Sequence, residues 1–458
     1  MATEFKLIRI ISLLIIVLSF INHANAADTQ KNLSAYDEGI YTKSENVAPG
    51  EDITFYYYVN TPTIPKIDQF QPENQSWKTI HRLETIPASK EYRKCTPQTG
   101  CNWQDNFIYE IPSTIEPGIY RASIASKEGS KRFSFFTIYS NQRREVLYLI
   151  DYQTPCAYNI YSGGSFYGRT NNNGELISGG VISGRRTYSC NRPNVFGDFS
   201  GKPFPRPRKG LDSIAMLSQI SRKWHNKINY YGLSASSPLT IDLLKKHKLI
   251  IISGIFEYMS RSQHEIIVQY LKEGGRLILN AREYIYGTVE INSYRNELNF
   301  IHYSYKRKEN YPHDLFGVSL SPNRWVESGT KTKLMHILEP KHTIWDGDHI
   351  ERGDALFKVG PLTAGGYVSV DSNSGKRCLA SEFVTCKNSI VLAEARWISK
   401  ASNTSAVIAL VRIGKGLILV TPGAYFTHAT DKISQRLKSR MLDYMLRVRM
   451  SSIDENYK

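Results

Sequence analysis

The sequence predicts an α/β protein in which a parallel sheet domain follows a small all-β sandwich. Between residues 27 and 140, short segments of alternating apolar and polar residues are separated by turns, and after residue 145 continuous apolar segments alternate with helix-like segments. Alternation with a period of two is typical of strands with one buried face. Continuous apolar strands are typical of parallel sheets, which are covered on both faces.

The first 26 residues have the features of a secretory signal peptide. Basic residues precede an apolar run at 10–20, and Ala24-Asn25-Ala26 has the small-x-small pattern of a cleavage site. A run this short cannot cross ~30 Å of hydrocarbon as a helix, which favours a cleaved signal over an anchor. We therefore expect cleavage after Ala26 and a periplasmic or secreted mature chain without a transmembrane segment.

All six cysteines follow the predicted cleavage site, which agrees with an oxidising compartment. An even number of cysteines in an exported chain predicts disulfides. Their spacing favours local bridges within the first and the last pair, although many other connectivities are open. The favoured pairs are Cys95 with Cys101, Cys156 with Cys190, and Cys378 with Cys386.

Residues 27–143 are predicted to form an immunoglobulin-like β-sandwich. Apolar side chains alternate with others at 53–59, 120–124 and 133–139, and turns at Gly118 and Gly129 precede the last two segments. Short alternating strands separated by turns are typical of sandwiches. The aromatic side chains in these strands are more often core residues than a sugar-binding surface.

Residues 144–450 are predicted to form the α/β domain, followed by a polar tail at 451–458. Helix-like segments lie between several of its strands, and an amphipathic helix ends it. Two long segments rich in turn residues, at about 160–210 and 300–388, are interpreted as inserted loops. The apolar strands, in chain order, are 146–150, 228–231, 249–253, 276–279, 390–393, 406–410 and 417–420.

Candidate site residues follow two of these strands. Ligands of open parallel sheets bind beyond the carboxyl ends of the strands. Asp151, Tyr158 and Tyr167 follow the strand at 146–150, and Glu257 follows the strand at 249–253. We therefore expect Tyr158, Tyr167 and Glu257 near one edge of the sheet. Packing of the tyrosines, and capping of the next helix by Glu257, are the simpler alternatives.

Several motifs follow one another in order between residues 145 and 450. They are Cys156-Ala157-Tyr158-Asn159, Gly163-Gly164-Ser165-Phe166-Tyr167, Asn191-Arg192-Pro193, Gly254-x-x-Glu257-Tyr258, Leu271-x-x-Gly274-Gly275-Arg276-Leu277, and Gly414-x-Gly416 before Pro422-Gly423-Ala424. In this order the chain resembles the large subunit of N,N-dimethylformamidase and its C-terminal-domain relatives. The resemblance implies a flavodoxin-like sheet of the class I glutamine amidotransferase type.

The resemblance also implies hydrolysis of a small amide at one iron ion held by two tyrosines and a glutamate. Phenolate and carboxylate oxygens are hard donors suited to a ferric ion, which polarises the amide carbonyl. Carried over to this sequence, Glu257 is the metal-binding and catalytic carboxylate and Tyr158 is one of the tyrosines. Either Tyr167 or Tyr188 is the second tyrosine.

Two positions depart from the family pattern. The family has a histidine two residues before the glutamate, where this chain has Ile255, which cannot transfer a proton. The family also has a glutamate in a Gly-aromatic-Glu context, which is missing at Gly366-Tyr367-Val368. Glu394 is the candidate catalytic replacement.

The net charge of +16 favours anionic neighbours. No nucleic-acid-binding pattern, serine-hydrolase elbow or P-loop occurs in the sequence. We therefore predict an exported, iron-dependent hydrolase of C–N amide bonds that acts on a small amide, with its oligomeric state left open. The alternative is a non-catalytic envelope protein that binds an anionic polymer or a protein partner, as the isoleucine at 255 and the basic charge suggest.

Overall fold

The computed structural model describes residues 38–74, 76–125, 129, 131–159, 161–166, 168–169, 186–194, 222–303, 318–319, 333–345, 355–359, 365–370, 377–379, 387–398, 403–421 and 432–448. The predicted signal peptide and polar tail, together with Tyr167 and Cys386, lie outside these ranges.

The described residues form a mixed α/β structure with many strands and few helices. The strands are β1 (Gly39–Thr42), β2 (Asn46–Val47), β3 (Asp52–Tyr58), β4 (Lys66–Gln71), β5 (Ser76–Arg82), β6 (Asn106–Glu110), β7 (Gly118–Ala125), β8 (Lys131–Ile138), β9 (Val146–Asp151), β10 (Gly164–Ser165), β11 (Gly168–Arg169), β12 (Arg186–Ser189), β13 (Ile228–Leu233), β14 (Leu249–Met259), β15 (Arg276–Asn292), β16 (Glu297–Tyr303), β17 (Val318–Ser319), β18 (Lys333–Ile337), β19 (Ala355–Val359), β20 (Gly365–Val370), β21 (Arg377–Leu379), β22 (Ser389–Ile398), β23 (Asn403–Ile413) and β24 (Gly416–Val420). The α-helices are α1 (Gln153–Tyr158), α2 (Ile241–Lys245), α3 (Arg261–Lys272) and α4 (Lys432–Arg447), and short 3-10 segments occur at Tyr161–Gly163, Arg222–Lys227 and Thr343–Trp345.

Strands β1 to β8 form two sheets around one core. Their orders are β1-β3-β6 and β2-β8-β7-β4-β5. Ile53, Phe55 and Tyr57 of β3 are buried in alternation, as predicted. They meet Tyr120 and Phe136 from the second sheet in a single hydrophobic cluster. The immunoglobulin-like type of this region and its predicted bounds remain predictions.

One ion pair is buried in the five-stranded sheet. Arg121 Nε on β7 donates to Oδ2 of Asp68 on β4 over 2.8 Å, and the Thr79 hydroxyl donates to the other carboxylate oxygen over 2.7 Å. The guanidinium also lies over the rings of Trp77 and Phe133, with its carbon 4.4 and 4.1 Å from the ring centroids. The carboxylate of Asp68 therefore has both a cation and a hydroxyl as partners.

The large sheet contains five neighbouring parallel strands in the order β13-β9-β14-β15-β24. Counted along the chain this order is 2-1-3-4-5, which is common among doubly wound sheets. Strands β9 and β24 are buried along their whole lengths, which confirms the prediction from their continuous apolar sequences. The core on one face includes Ile250 with Ile267 of α3, and the core on the other includes Ile251 with Met441 of α4.

The final helix packs against the sheet, as predicted. Met441, Leu442 and Met445 of α4 are buried, and the Arg276 guanidinium donates to the carbonyl oxygens of Met445 and Val448 over 2.5 and 2.7 Å. These contacts attach the end of α4 to the start of β15. Among the helices of the described ranges, none is both long and apolar enough to cross a membrane.

The sheet is mixed rather than parallel throughout, which corrects the sequence-based prediction. Strand β23 is antiparallel to β24, β22 to β23, and β18 to β22. The turn at Gly414-Lys415 is the physical reason for the first reversal, because parallel neighbours need a crossover connection of about a dozen residues or more. Part of the predicted insertion at 300–388 also joins this sheet through β16, β18, β19 and β20.

Two of the three predicted disulfides are confirmed. Cys95 bonds to Cys101, and Cys156 bonds to Cys190. The third predicted pair, Cys378 with Cys386, remains a prediction, because Cys386 lies outside the described residues.

Candidate functional site

The candidate site lies where the order of the parallel strands reverses. The chain leaves β9 toward β13 on one side, and β14 pairs with β9 on the other side. Helix α1 begins directly after β9, and β14 continues past the end of its pairing with β9 at Ile252. Crevices at such switch points are the usual ligand sites of doubly wound sheets.

Strand β14 becomes irregular at Glu257. Its register with β15 shifts between Gly254 and Ile255, and again between Phe256 and Tyr258. Gly254 has φ +92°, which side chains other than glycine rarely adopt. Such irregularities bend a strand and re-aim its side chains. Gly254 therefore permits the local path that presents Glu257 to α1.

A short hydrogen bond joins the two elements. The Tyr158 hydroxyl at the end of α1 donates to Oε2 of Glu257 over 2.5 Å. Glu257 is 1% exposed, whereas Tyr158 is half-buried. The backbone N–H of Glu257 also donates to Oγ1 of Thr154 over 3.1 Å, so α1 contacts β14 at two points. A carboxylate that accepts a hydroxyl bond at this distance fits a strong, charge-assisted interaction.

Asp151 is a second buried acid at this edge. Its Oδ1 accepts the N–H groups of Gln153 and Thr154 over 2.8 and 3.1 Å, while Oδ2 has no hydrogen-bond partner among the described residues. Burial raises the pKa of Asp151 to about 7, and the charge of Glu257 acts in the same direction. A carboxyl group with this pKa can hold or release a proton near neutral pH.

The opposite side of α1 is attached to the end of β12. Cys156 is bonded to Cys190, and the Asn159 side-chain amide donates to the carbonyl oxygen of Pro193 over 3.0 Å. The buried guanidinium of Arg192 donates to nearby backbone carbonyls, which fixes the segment after β12. These attachments, together with the Asp151 cap at its start, hold the short helix that carries Tyr158.

Aromatic side chains pack beside the Tyr158–Glu257 pair. The ring of Tyr258 lies 6.3 Å from that of Tyr158 and 5.2 Å from that of Phe166. Phe166 in turn contacts Tyr188 and Phe300, each with ring centroids 5.3 Å apart. Tyr188 is buried in this aromatic cluster. A site walled by rings has a low local dielectric, which strengthens its polar interactions.

The predicted site residues are distributed unevenly. Tyr158 and Glu257 are in direct contact, Tyr188 lies in the adjoining aromatic cluster, and Tyr167 is outside the described residues. Glu394 lies on β22, four strand positions from β14, or ~19 Å at the usual strand spacing. Its catalytic role remains a prediction.

Sequence reasoning placed Asp151 at the end of a strand but did not select it as a functional residue. The available signal was an acidic residue that directly follows a continuous apolar strand, Val146–Asp151. Such a position predicts burial of the acid at the edge where ligands of parallel sheets bind.

The donor atoms of the pair fit a hard metal ion. Tyr158 and Glu257 offer one phenol and one carboxylate oxygen, the donor types that ferric iron prefers. The two oxygens lie 2.5 Å apart, and neighbouring oxygen ligands of one ion lie on the order of 3 Å apart. Within the described ranges, no three His, Cys, Asp or Glu side chains are placed so that together they could hold a metal ion.

Comparison with known proteins gives one family match. The family described as N,N-dimethylformamidase beta subunit-like, C-terminal matches residues 71–409, about three quarters of the 458-residue chain. No curated protein matches the chain. The structure described as mmIFT52 N-terminal domain aligns with a TM-score of 0.30 and 14% identity over 50% of this chain and 88% of that one. A likeness this weak does not bear on function.

Proposed function

We propose that this chain, which belongs to the N,N-dimethylformamidase beta subunit-like, C-terminal family, is an exported hydrolase of the C–N bond of a small amide. The observation that carries the proposal is the hydrogen bond from Tyr158 to the buried Glu257 at the strand switch point. The 2-1-3-4-5 strand order supports the amidotransferase-like arrangement that is part of this proposal. The two disulfides support export, because such bonds persist in oxidising compartments.

Iron is the proposed cofactor. Tyr158 and Glu257 would each contribute one oxygen, and Tyr188 or Tyr167 would be the second tyrosine. When bound, a ferric ion supplies a Lewis acid that polarises the amide carbonyl. The oxygen donors of Tyr158 and Glu257, and the short distance between them, support this assignment.

Proton transfer in this chain is assigned to Asp151. The position that holds a histidine in the family is occupied by Ile255, which cannot carry a proton. Asp151 and Glu257 are joined through Thr154. The backbone N–H of Thr154 donates to the Asp151 carboxylate, and the hydroxyl oxygen of Thr154 accepts the backbone N–H of Glu257. A buried acid with a pKa of about 7, joined through Thr154 to the backbone of Glu257, is suited to exchange a proton with the substrate.

The test is the iron content and the visible spectrum of the purified protein and three variants. We expect about one iron per chain and a tyrosinate-to-iron absorption band. Glu257→Gln should lower iron content, and Tyr158→Phe should shift or remove the band. Tyr294→Phe is the matched control, because Tyr294 is 97% exposed and lies outside the site.

Amide hydrolysis supplies the second readout. Glu257→Gln should reduce the release of amine from small amides by about 100-fold or more, since even outer-shell changes at metal sites cost 10–100-fold. Circular dichroism of each variant shows whether its fold is retained. Iron-free protein after iron supplementation, with no amide cleaved, would contradict the proposal.

That negative outcome would favour the alternative of a non-catalytic binding protein. Ile255 and the net charge of +16 are the observations behind it. In that case Glu257→Gln would have no effect, and affinity for an anionic polymer would fall with added salt.

A further inference from the structure

A second cavity opens beside the start of α3, at the edge of the sheet that also carries the candidate site. Its volume is about 440 Å³, within the range of ~300–1,000 Å³ that is usual for small-molecule pockets. One wall comes from the first turn of α3, and the other comes from the extended part of β15. Neither wall includes Tyr158, Asp151 or Glu257.

Two buried polar groups on these walls lack partners. Gln263 is 3% exposed and Thr288 is 6% exposed, and neither the Gln263 Nε2 group nor the Thr288 hydroxyl has a hydrogen-bond partner among the described residues. The other amide atom of Gln263, Oε1, accepts the backbone N–H of Ser260 over 3.0 Å. Buried polar groups are nearly always hydrogen-bonded, so these two point to a molecule that binds between them.

The start of α3 adds further donors. Ser260 and Gln263 form a capping box, in which the N–H of Gln263 donates to the Ser260 side chain. Arg261 and Ser262 are the first two residues of the 12-residue helix, so their N–H groups lie at its N-terminal end. The positive end of the helix dipole and its first N–H groups favour an anion. The exposed guanidinium of Arg261 also lines the cavity mouth, where it contacts Glu265 over 2.8 Å. Hydrogen-bond donors therefore predominate on this wall.

The remaining surface is largely apolar. Leu239 and Val289 are buried, and Ile291 and Ile301 complete the lining. Glu290 also lines the cavity but is exposed, so its charge is largely solvated and disfavours an anion only moderately. The cavity thus combines a donor-rich end with an apolar body.

We propose that this cavity binds a small molecule that carries a phosphate or carboxylate group on an apolar body. The oxyanion lies at the Gln263 amide, the Thr288 hydroxyl and the start of α3. The apolar part lies against Leu239 and Val289. This inference does not depend on amide hydrolysis and holds for either proposed function of the chain.

Calorimetric titration of the whole protein tests the ligand class with three probes: phenyl phosphate, benzoate and inorganic phosphate. We expect phenyl phosphate or benzoate to bind more tightly than inorganic phosphate, and the tighter of the two identifies the head group. Absence of binding by both aromatic probes at about 10 mM would overturn the proposal. Equal affinity for inorganic phosphate and phenyl phosphate would overturn it as well, since the apolar wall would then contribute nothing.

The variant Gln263→Glu tests the position of the oxyanion. It retains the side-chain oxygen of the capping box, and an acidic residue in the first helical turn stabilises a helix, so the fold should be preserved. We expect the tighter aromatic probe to bind at least about tenfold more weakly, because a carboxylate replaces a donor. Glu290→Gln should strengthen binding.

Gln269→Glu is the matched control, since it makes the same chemical change at an exposed position of the same helix. Affinity like that of the unmodified protein is expected. Equal weakening by Gln263→Glu and Gln269→Glu would mean that general charge decides binding, and the site would be rejected.

Discussion

Two buried aspartates, one in the N-terminal sheets and one at the edge of the parallel strands, have contrasting surroundings. Asp68 has the Arg121 guanidinium 2.8 Å away. Asp151 accepts two backbone N–H bonds, and no ion pair joins it to a described residue. Burial raises the pKa of Asp151 to about 7, whereas the carboxylate of Asp68 is compensated by a cation.

Asp68 and Asp151 are both buried, so burial alone does not give an acid a chemical function. A carboxylate such as Asp68 is held in a buried ion pair, and its removal affects the fold. An acid whose ionisation is opposed by burial remains able to exchange a proton, at some cost to stability. Asp151 lies in the region that also holds Tyr158 and Glu257, which agrees with a chemical role for that edge.

The largest expected effect comes from Asp68→Asn. The change removes the acidic partner of a buried ion pair, so the free energy of unfolding should fall by about 3–5 kcal/mol. Urea unfolding followed by tryptophan fluorescence measures it, since Trp77 stacks on the same guanidinium. Asp52→Asn, at an exposed position, is the control and should change little. Similar losses for both would show that the pair is not structural.

Asparagine at position 151, in contrast, should raise the free energy of unfolding at neutral and higher pH. The folded protein binds more protons than the unfolded chain between pH ~4 and ~7, because the pKa of Asp151 rises from 3.8 to about 7 on folding. This group therefore makes stability fall as pH rises through that window. Asp151→Asn keeps an oxygen for the two N–H bonds and removes the titration, so its stability relative to the unmodified protein should increase by up to about 4 kcal/mol between pH 4 and pH 8.

Thermal unfolding from pH 4 to pH 8 checks this expectation. The curves of the variant and the unmodified protein should meet near pH 4 and diverge toward pH 8. Curves that stay parallel would show that Asp151 does not titrate with a raised pKa. A loss of amide hydrolysis together with higher stability would support its assignment as the proton-transfer group.

The smallest expected effect is the difference in stability lost when each of the two disulfides is removed. One disulfide lies in each region. Cys156–Cys190 closes a sequence separation of 34 and Cys95–Cys101 one of 6. Loop-closure entropy predicts that replacing the longer bridge by alanines costs about 1.5 kcal/mol more than replacing the shorter one. Urea unfolding of the two double variants measures the difference. A larger loss for Cys95–Cys101 would mean that local packing, rather than chain entropy, determines the contribution of each bridge.

The apolar strands could be predicted because burial on both faces leaves a continuous pattern, as at Val146–Asp151. The extension of β14 to Met259 and of β15 to Asn292 could not be predicted. These parts are less uniformly apolar, and they form strands because they pair with each other. The direction of β23 was also missed, although the short turn at Gly414-Lys415 carried the signal.

The site residues could likewise be predicted only in part from the sequence. Tyr158 and Glu257 follow strand ends and belong to recognisable motifs, so fold logic and resemblance both selected them. The surroundings of Gln263 and Thr288 depend on contacts between α3 and β15, which are apart in the chain. Sequence patterns show that such residues are polar, but they do not show that the residues are buried or left without a partner.

The bond between Cys156 and Cys190 also affects how the protein should be produced. Cys156 lies two residues before Tyr158 on the same short helix. In a reducing cytoplasm the two cysteines would remain thiols, and thiolates bind zinc or copper more readily than hard oxygen donors do. Oxidation before metal loading removes these competing ligands. If the chain binds iron as proposed, an expression host that exports it is therefore expected to yield more iron-loaded protein than one that retains it.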